Sequence, residues 1–280
     1  MMKKIAMLLA ALLCLCIFAA SAEDEAGIWE ICKAENGTFM DFDNDGVPET
    51  VRVLFLLDEY EDGDFVLSVG NSIVTVRDCI GLEQEIYVMK AGYGWYCYGT
   101  VFMINEYGPS DDPLTYCFLY TEGELVELGC IPALVSTFTV SNDGMITTKI
   151  RAGMVGTWYR DADYVLSVGS KYVSEDDWRQ IYVLSEVPRS LYPMGMLVTT
   201  KVPLTLSGSL YEMRNDVRIE AGQDVLLVAS DDVSRLYVSS LDGESRGWLA
   251  MQSQDWIDYA LVNGRYIEID DVFDNIFYAD

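Results

Sequence analysis

Ten residues near the start of the chain hold most of its metal-binding chemistry. In Asp41 to Thr50, DFDNDGVPET, the acids Asp41, Asp43 and Asp45 alternate, Gly46 follows them and Glu49 stands at the ninth position. Calcium is a hard cation that takes oxygen ligands, and such a loop offers it side-chain oxygens from positions one, three and five, the backbone carbonyl of Val47 from seven and the Glu49 carboxylate from nine. Gly46 allows the sharp turn the wrapping needs. Four carboxylates within nine residues repel one another unless a cation sits among them. The spacing therefore predicts a calcium site built from Asp41, Asp43, Asp45, Val47 and Glu49. The alternative is a solvated acidic turn, because Asn-Asp-Gly is turn chemistry in its own right.

The loop is not an EF-hand, which closes with a bidentate Glu at its twelfth position; here that residue is Arg52. The following run, VRVLFLL from Val51 to Leu57, is rich in β-branched and aromatic residues and predicts a buried strand. A D-x-D-x-D-G-x-x-E loop running into a strand resembles the calcium loops of FG-GAP repeats, the integrin-type propeller repeats, and of their relatives in secreted bacterial proteins. The resemblance covers residues 41 to 57 well and the next eighty loosely. It implies a calcium-stabilised β domain.

Residues 1 to 22 read as a secretory signal peptide: Lys3 and Lys4, an apolar run from Ile5 to Phe18, then Ala20-Ser21-Ala22 ahead of an acidic start. Cleavage after Ala22 leaves about 258 residues with forty-five acids against sixteen bases, a net charge near −29. So negative a chain is repelled by nucleic acid and by anionic membrane, and neither is expected as a partner. The sequence contains no histidine, which excludes Ser-His-Asp and Cys-His catalysis and His-ligated zinc. Five cysteines follow the leader, Cys32, Cys79, Cys97, Cys117 and Cys130, with no C-x-x-C among them. An odd count leaves at least one thiol free, and small buried hydrophobes on strands explain them as well as bridges do. Asn36-Gly37-Thr38 is a formal glycosylation sequon, idle in a bacterial export context.

From Ile28 onward the chain reads as strands bounded by turns, so the fold class is all-β. Strands are expected at Asp64 to Val69, Ser72 to Val76, Glu85 to Met89, Thr100 to Asn105, Thr115 to Tyr120, Val135 to Val140 and Met145 to Arg151, with hairpin turns at Asp62-Gly63, Glu122-Gly123 and Asp143-Gly144. Ser174-Glu175-Asp176-Asp177 ahead of Trp178 has the capping pattern of a short helix. DFVLSVG at Asp64 to Gly70 recurs as DYVLSVG at Asp163 to Gly169, which points to a repeated hairpin unit. Asp78, Glu83 and Glu85 look like a decayed copy of the acidic loop. Tyr107 to Pro113, YGPSDDP, reads as a hydrogen-bonded turn, with Ser110, Asp111 and Asp112 also able to face a metal.

The strand rhythm breaks at VPRSLYP, Val187 to Pro193, where a domain boundary is expected. Three parts follow: a leader over 1–22, a β-rich FG-GAP-like domain over 23–190, and a small barrel with a C-terminal tail over 194–280. Gly222, the strand Val225 to Val228, Asp242-Gly243 and Gly247-Trp248 together resemble bacterial Src-homology-3-like domains. In that family such barrels often bind cell-wall peptides, and some only package a neighbouring domain. The Arg-Ser-Gly-Pro tract common near their start is Thr205 to Ser209 here, and Leu236-Tyr237 stands where a Trp is usual. Trp248 is expected in the core or a turn. Trp256, Tyr259 and Tyr266 form either an exposed aromatic surface or a packing seam for the tail.

These features fit a secreted or cell-surface, calcium-stabilised binding protein, not an enzyme, that engages a cell-wall component, a glycan or a surface protein. Two alternatives remain: a purely structural envelope protein in which calcium only locks a turn, and a glycosidase working through two carboxylates.

Overall fold

The computed structural model describes residues 30–93, 96–109, 112–174, 177–209 and 215–278. The expected leader, Ser110, Asp111, Glu175 and Asp176 lie outside them. The chain is all-β, and a four-residue helix is the only α-helix among the described residues.

After a short strand β1 (Cys32–Ala34), the chain forms three consecutive antiparallel meanders. The first is β2 (Phe39–Met40), β3 (Glu49–Leu57), β4 (Gly63–Val69) and β5 (Ser72–Cys79). The second is β6 (Ile86–Tyr93), β7 (Tyr96–Glu106), β8 (Leu114–Thr121) and β9 (Glu124–Ile131), with β1 added beside β6. The third is β10 (Thr139–Val140), β11 (Ile146–Arg151), β12 (Tyr159–Ser174) and β13 (Asp177–Val187).

The meanders stack face to face, and the sequence shows why. In β3 the alternation is one-sided: Val51 and Val53 are buried while Arg52 and Leu54 are exposed. The middle meander is instead apolar on both faces, because it has a layer on each side. Its cross-strand row Val88, Phe102 and Phe118 faces the first meander, and the adjacent row Met89, Val101 and Leu119 faces the third. Phe65 of β4 meets Phe118 edge-on with ring centroids 6.1 Å apart, and Phe42 meets Phe102 at 5.1 Å. The two DxVLSVG segments fall on β4 and β12, the third strand of their respective meanders. Their Phe65 and Tyr164 point into the two core layers on either side of the middle sheet. The three layers form an open stack of sheets.

Two local expectations are corrected. Val135 to Thr137 is a single 3-10 turn followed by the two-residue β10, not a strand over 135–140, because Thr137 and Phe138 donate their amides to Leu134 and Val135 instead of to a sheet neighbour. The helix expected after Ser174 is absent. Ser174 pairs with Asp177 at the tip of the β12–β13 hairpin, and Trp178 lies on β13 opposite Tyr172. The flanking β-branched and aromatic residues decide for strand on either side.

Past Val187 the chain enters a curved sheet made of β14 (Tyr192–Thr200), β15 (Leu204–Ser207), β16 (Asn215–Ile219), β17 (Asp224–Ser230), β18 (Arg235–Ser240), β19 (Arg246–Gln254), β20 (Ile257–Val262) and β21 (Arg265–Glu268), closed by α1 (Ile269–Val272) and β22 (Phe273–Asp274). The order is β16-β15-β19-β18-β17-β14-β22, and the far half of β19 leaves β18 to pair with β20. The sheet wraps one core containing Val198, Leu206, Val225, Leu227, Val238 and Leu249. Gly222 sits in the turn before β17, Asp242-Gly243 forms the β18–β19 turn, and Trp248 on β19 stacks on Tyr237 with centroids 4.8 Å apart.

The β11–β12 connection inserts Met154 and Val155 into that same core and so joins the stack to the curved sheet. Arg160 locks the joint: it bonds Asp232 at 2.8 Å and Glu186 at 2.5 Å and lies over the Tyr192 ring. Asp232 also accepts the backbone N–H groups of Gly153 and Met154.

Candidate metal centre

The acidic loop links β2 to β3 and is held against the second meander. Phe42 is its plug: the side chain is wholly buried on Phe102, and its carbonyl accepts the Thr100 hydroxyl at 2.6 Å. With Phe42 turned inward, Asp41 and Asp43 on either side are left facing the loop interior. Asn44 and Gly46 take left-handed backbone angles, φ 61° and 88°, which fold the chain back on itself.

The Asp41 carboxylate accepts the N–H groups of Asp45 at 3.1 Å and Gly46 at 3.0 Å. Glu49 accepts the N–H of Phe42 at 3.0 Å across the mouth of the loop. Asp43 reaches into the second layer, where its Oδ2 accepts the N–H of Gly123 in the β8–β9 turn at 2.8 Å. Its other oxygen, Oδ1, is shut off from solvent and has no hydrogen-bond partner. Lys90 of β6 donates to the Asp41 backbone carbonyl at 3.3 Å.

Asp41, Asp43 and Glu49 each bring a carboxylate oxygen within 4.8 Å of the other two. Oxygens that share a calcium ion at about 2.4 Å have this spread. Asp45 stands outside the trio, exposed, with its carboxylate accepting the Val47 N–H at 2.6 Å. Val47 is itself exposed. Of the four carboxylates expected from spacing, three converge, while that of Asp45 turns to the Val47 N–H.

The electrostatics follow from this crowding. Burial, and then the charges of Asp43, Asp45 and Asp41, push the Glu49 carboxyl above its ordinary range against the pull of the Phe42 amide. Tyr120 on β8 is pushed up to about 12 by burial and by the same carboxylates. Within this pocket, negative charge is concentrated with one buried oxygen left unsatisfied, and a buried unpaired acceptor costs about 1–3 kcal/mol. The chemistry this allows is the capture of a hard cation.

The other acidic positions are engaged elsewhere. Glu83 and Glu85 both accept the Tyr87 hydroxyl, Glu83 also accepts Asn105, and Glu85 pairs with Lys33. Cys79 and Cys117 are buried and Cys32 and Cys130 exposed, all four as free thiols; the side chain of Cys97 lies outside the described residues. Trp256 is fully exposed at the β19–β20 hairpin tip and Tyr266 is half exposed, whereas Tyr259 is partly buried. Sequence reasoning missed Gly123, Thr100 and Lys90, which anchor the loop from 49 to 80 residues away. Comparison with protein-family models, with curated proteins and with solved structures finds no match for this chain.

Proposed function

We propose that this chain is a secreted or cell-surface binding protein whose stacked β layers are pinned by one calcium ion held by Asp41, Asp43 and Glu49. The observation that carries the calcium assignment is the Asp43 carboxylate, with Oδ2 bonded to Gly123 of the second meander, Oδ1 buried and unpartnered, and one of its oxygens within 4.8 Å of carboxylate oxygens of Asp41 and Glu49. A cation there satisfies the orphan oxygen and relieves the repulsion at once. Three carboxylates supply fewer than the six to eight oxygens calcium takes, so water or backbone carbonyls complete its shell. Because Asp43 spans two layers, the ion would tie the first meander to the second.

The binding role is supported by the absence of histidine from the sequence and by the strongly acidic surface of an export-type chain. A cell-wall component, a glycan or another surface protein would be the partner. The curved C-terminal sheet, with Trp248 packed on Tyr237, suits the Src-homology-3-like assignment in its role of packaging a neighbour, since it shares its core with the β11–β12 connection. The test is retention on purified peptidoglycan and on a glycan array in calcium and in chelator. Retention that depends on calcium supports the proposal. A calcium-stabilised chain that is retained on neither is a structural envelope protein instead.

A further inference from the structure

A second site lies at the other end of the stack. A cleft of about 440 Å³ opens where the β7–β8 loop and the β9–β10 connection meet the outer face of β11 and β12. This volume falls in the range of roughly 300–1,000 Å³ typical of small-molecule sites. Lys149 and Arg151, two positions apart on β11, form its charged wall, and Tyr107, Tyr159, Pro113 and Pro132 supply flat apolar faces. The two tyrosines are 48% and 56% exposed, so their rings are open to a ligand.

The charge in this cleft is unusual for so acidic a chain. Lys149 is exposed and has no acidic partner among the described residues, because Asp161, opposite it in the sheet register, turns to Arg189 at 3.5 Å. Arg151 already shows which group its fork prefers: its Nη1 donates to the Asp112 carboxylate at 3.1 Å and its Nη2 to the Thr157 hydroxyl at 3.2 Å. Asp112 reaches it from the β7–β8 loop with a half-exposed side chain, a carboxylate that solvent can compete away.

We propose that this cleft binds an acidic saccharide, with the sugar carboxylate between Lys149 and Arg151 in place of Asp112 and the pyranose ring against Tyr107 and Tyr159. A guanidinium with a neighbouring ammonium selects a carboxylate, and the negative faces of the tyrosine rings attract the C–H edges of a sugar. The assignment rests on the binding role proposed above and names its ligand class, and it is independent of the calcium loop, which sits on the first meander.

Isothermal titration of digalacturonate into the whole mature chain tests it, beside the dimethyl ester of the same disaccharide and a triglutamate peptide. Saturable binding of digalacturonate is expected, weakened about tenfold or more for the ester and for triglutamate, in line with the loss of a charge-assisted contact or of the ring stacking. Lys149→Met and Tyr159→Ala, both at exposed positions, should each weaken it about tenfold while melting as the wild type does. Equal affinity for the ester or the peptide overturns the ligand class. Undiminished binding by both folded variants overturns the site yet leaves a binding protein, whereas no binding to digalacturonate together with retention on another glycan overturns the acidic-sugar assignment alone.

Discussion

Asp43→Asn gives opposite results with and without calcium, and that crossing is the sharpest consequence of the proposed centre. In the wild type, an ion that binds only the folded chain adds RT ln(1 + [Ca]/Kd). Extracellular sites have Kd values of roughly 10⁻⁴–10⁻³ M, so 10 mM calcium adds about 1.4–2.7 kcal/mol. For a chain of this size that raises the melting temperature by about 3–10 °C. The asparagine keeps the shape of the side chain, and its Oδ1 still accepts Gly123, but the buried Oδ1 of the wild type becomes an amide that cannot ligate and can donate to Asp41 or Glu49. In chelator the variant loses one of three mutually repelling carboxylates that lie within 4.8 Å, a relief of about 1 kcal/mol per pair even at water's dielectric constant. It should therefore melt at or above the wild type in EDTA and below it in 10 mM calcium, as read by differential scanning calorimetry. Parallel calcium shifts for the two proteins, or no shift in the wild type, would refute the reasoning.

Other consequences can be measured independently. Asp232→Ala takes one of its two carboxylate partners from the Arg160 guanidinium, which keeps Glu186, and frees the amides of Gly153 and Met154, so urea unfolding should show a loss of about 1.5–3 kcal/mol, with the joint between the stack and the curved sheet opening first in hydrogen exchange. Phe118→Ala removes the ring between the first two layers and should cost about 3–5 kcal/mol in the same assay. Burial opposes ionisation of Asp231, but the N–H groups of Ser234, Val233 and Arg235 and the Ser234 hydroxyl outweigh it and hold the carboxyl below its ordinary range. A depressed carboxyl contributes stability above its unfolded pKa, near 4, and loses it as pH falls through the folded value. Acid unfolding should accordingly be less steep below pH 4 in Asp231→Asn than in the wild type. Burial raises the Cys79 thiol to about 11, so Ellman's reagent at pH 7.5 should leave it unreacted until the chain unfolds.

The acidic cluster was legible because its members are local: Asp41, Asp43 and Glu49 lie within nine residues, and their carboxylates converge in the folded chain. What pins the loop was not legible, since Gly123 is a turn glycine eighty residues on and nothing in its neighbourhood marks it as an anchor. Asp45 fits the motif equally well by spacing, yet in the folded chain its carboxylate closes the turn onto Val47. Strand class was readable from β-branched and aromatic content, and the two DxVLSVG segments marked equivalent strands of two meanders. The continuous apolar runs of β7 and β8 carry the signature of a sheet covered on both faces. Ser174 to Asp177 misled because a helix cap and a hairpin tip draw on the same acids and hydroxyls, and the choice falls to residues outside the tetrapeptide. The insertion of Met154 and Val155 into the second core is a tertiary event with no local signal.

The cleft shows the same limit. YGPSDDP read as a turn, and the turn's Asp112 acquires meaning only once β11 brings Arg151 beside it. Lys149 is one of few bases in an acidic chain, but only the register, with Asp161 turned to Arg189, reveals that it lacks a partner among the described residues.

A crystal of the mature chain grown in millimolar calcium, examined by anomalous scattering, tests the central claim directly. The expected result is a single strong peak about 2.3–2.6 Å from carboxylate oxygens of Asp41, Asp43 and Glu49, with Oδ1 of Asp43 among them. A map with no peak in that loop, and Asp43 Oδ1 bonded instead to water or to another side chain, would contradict it.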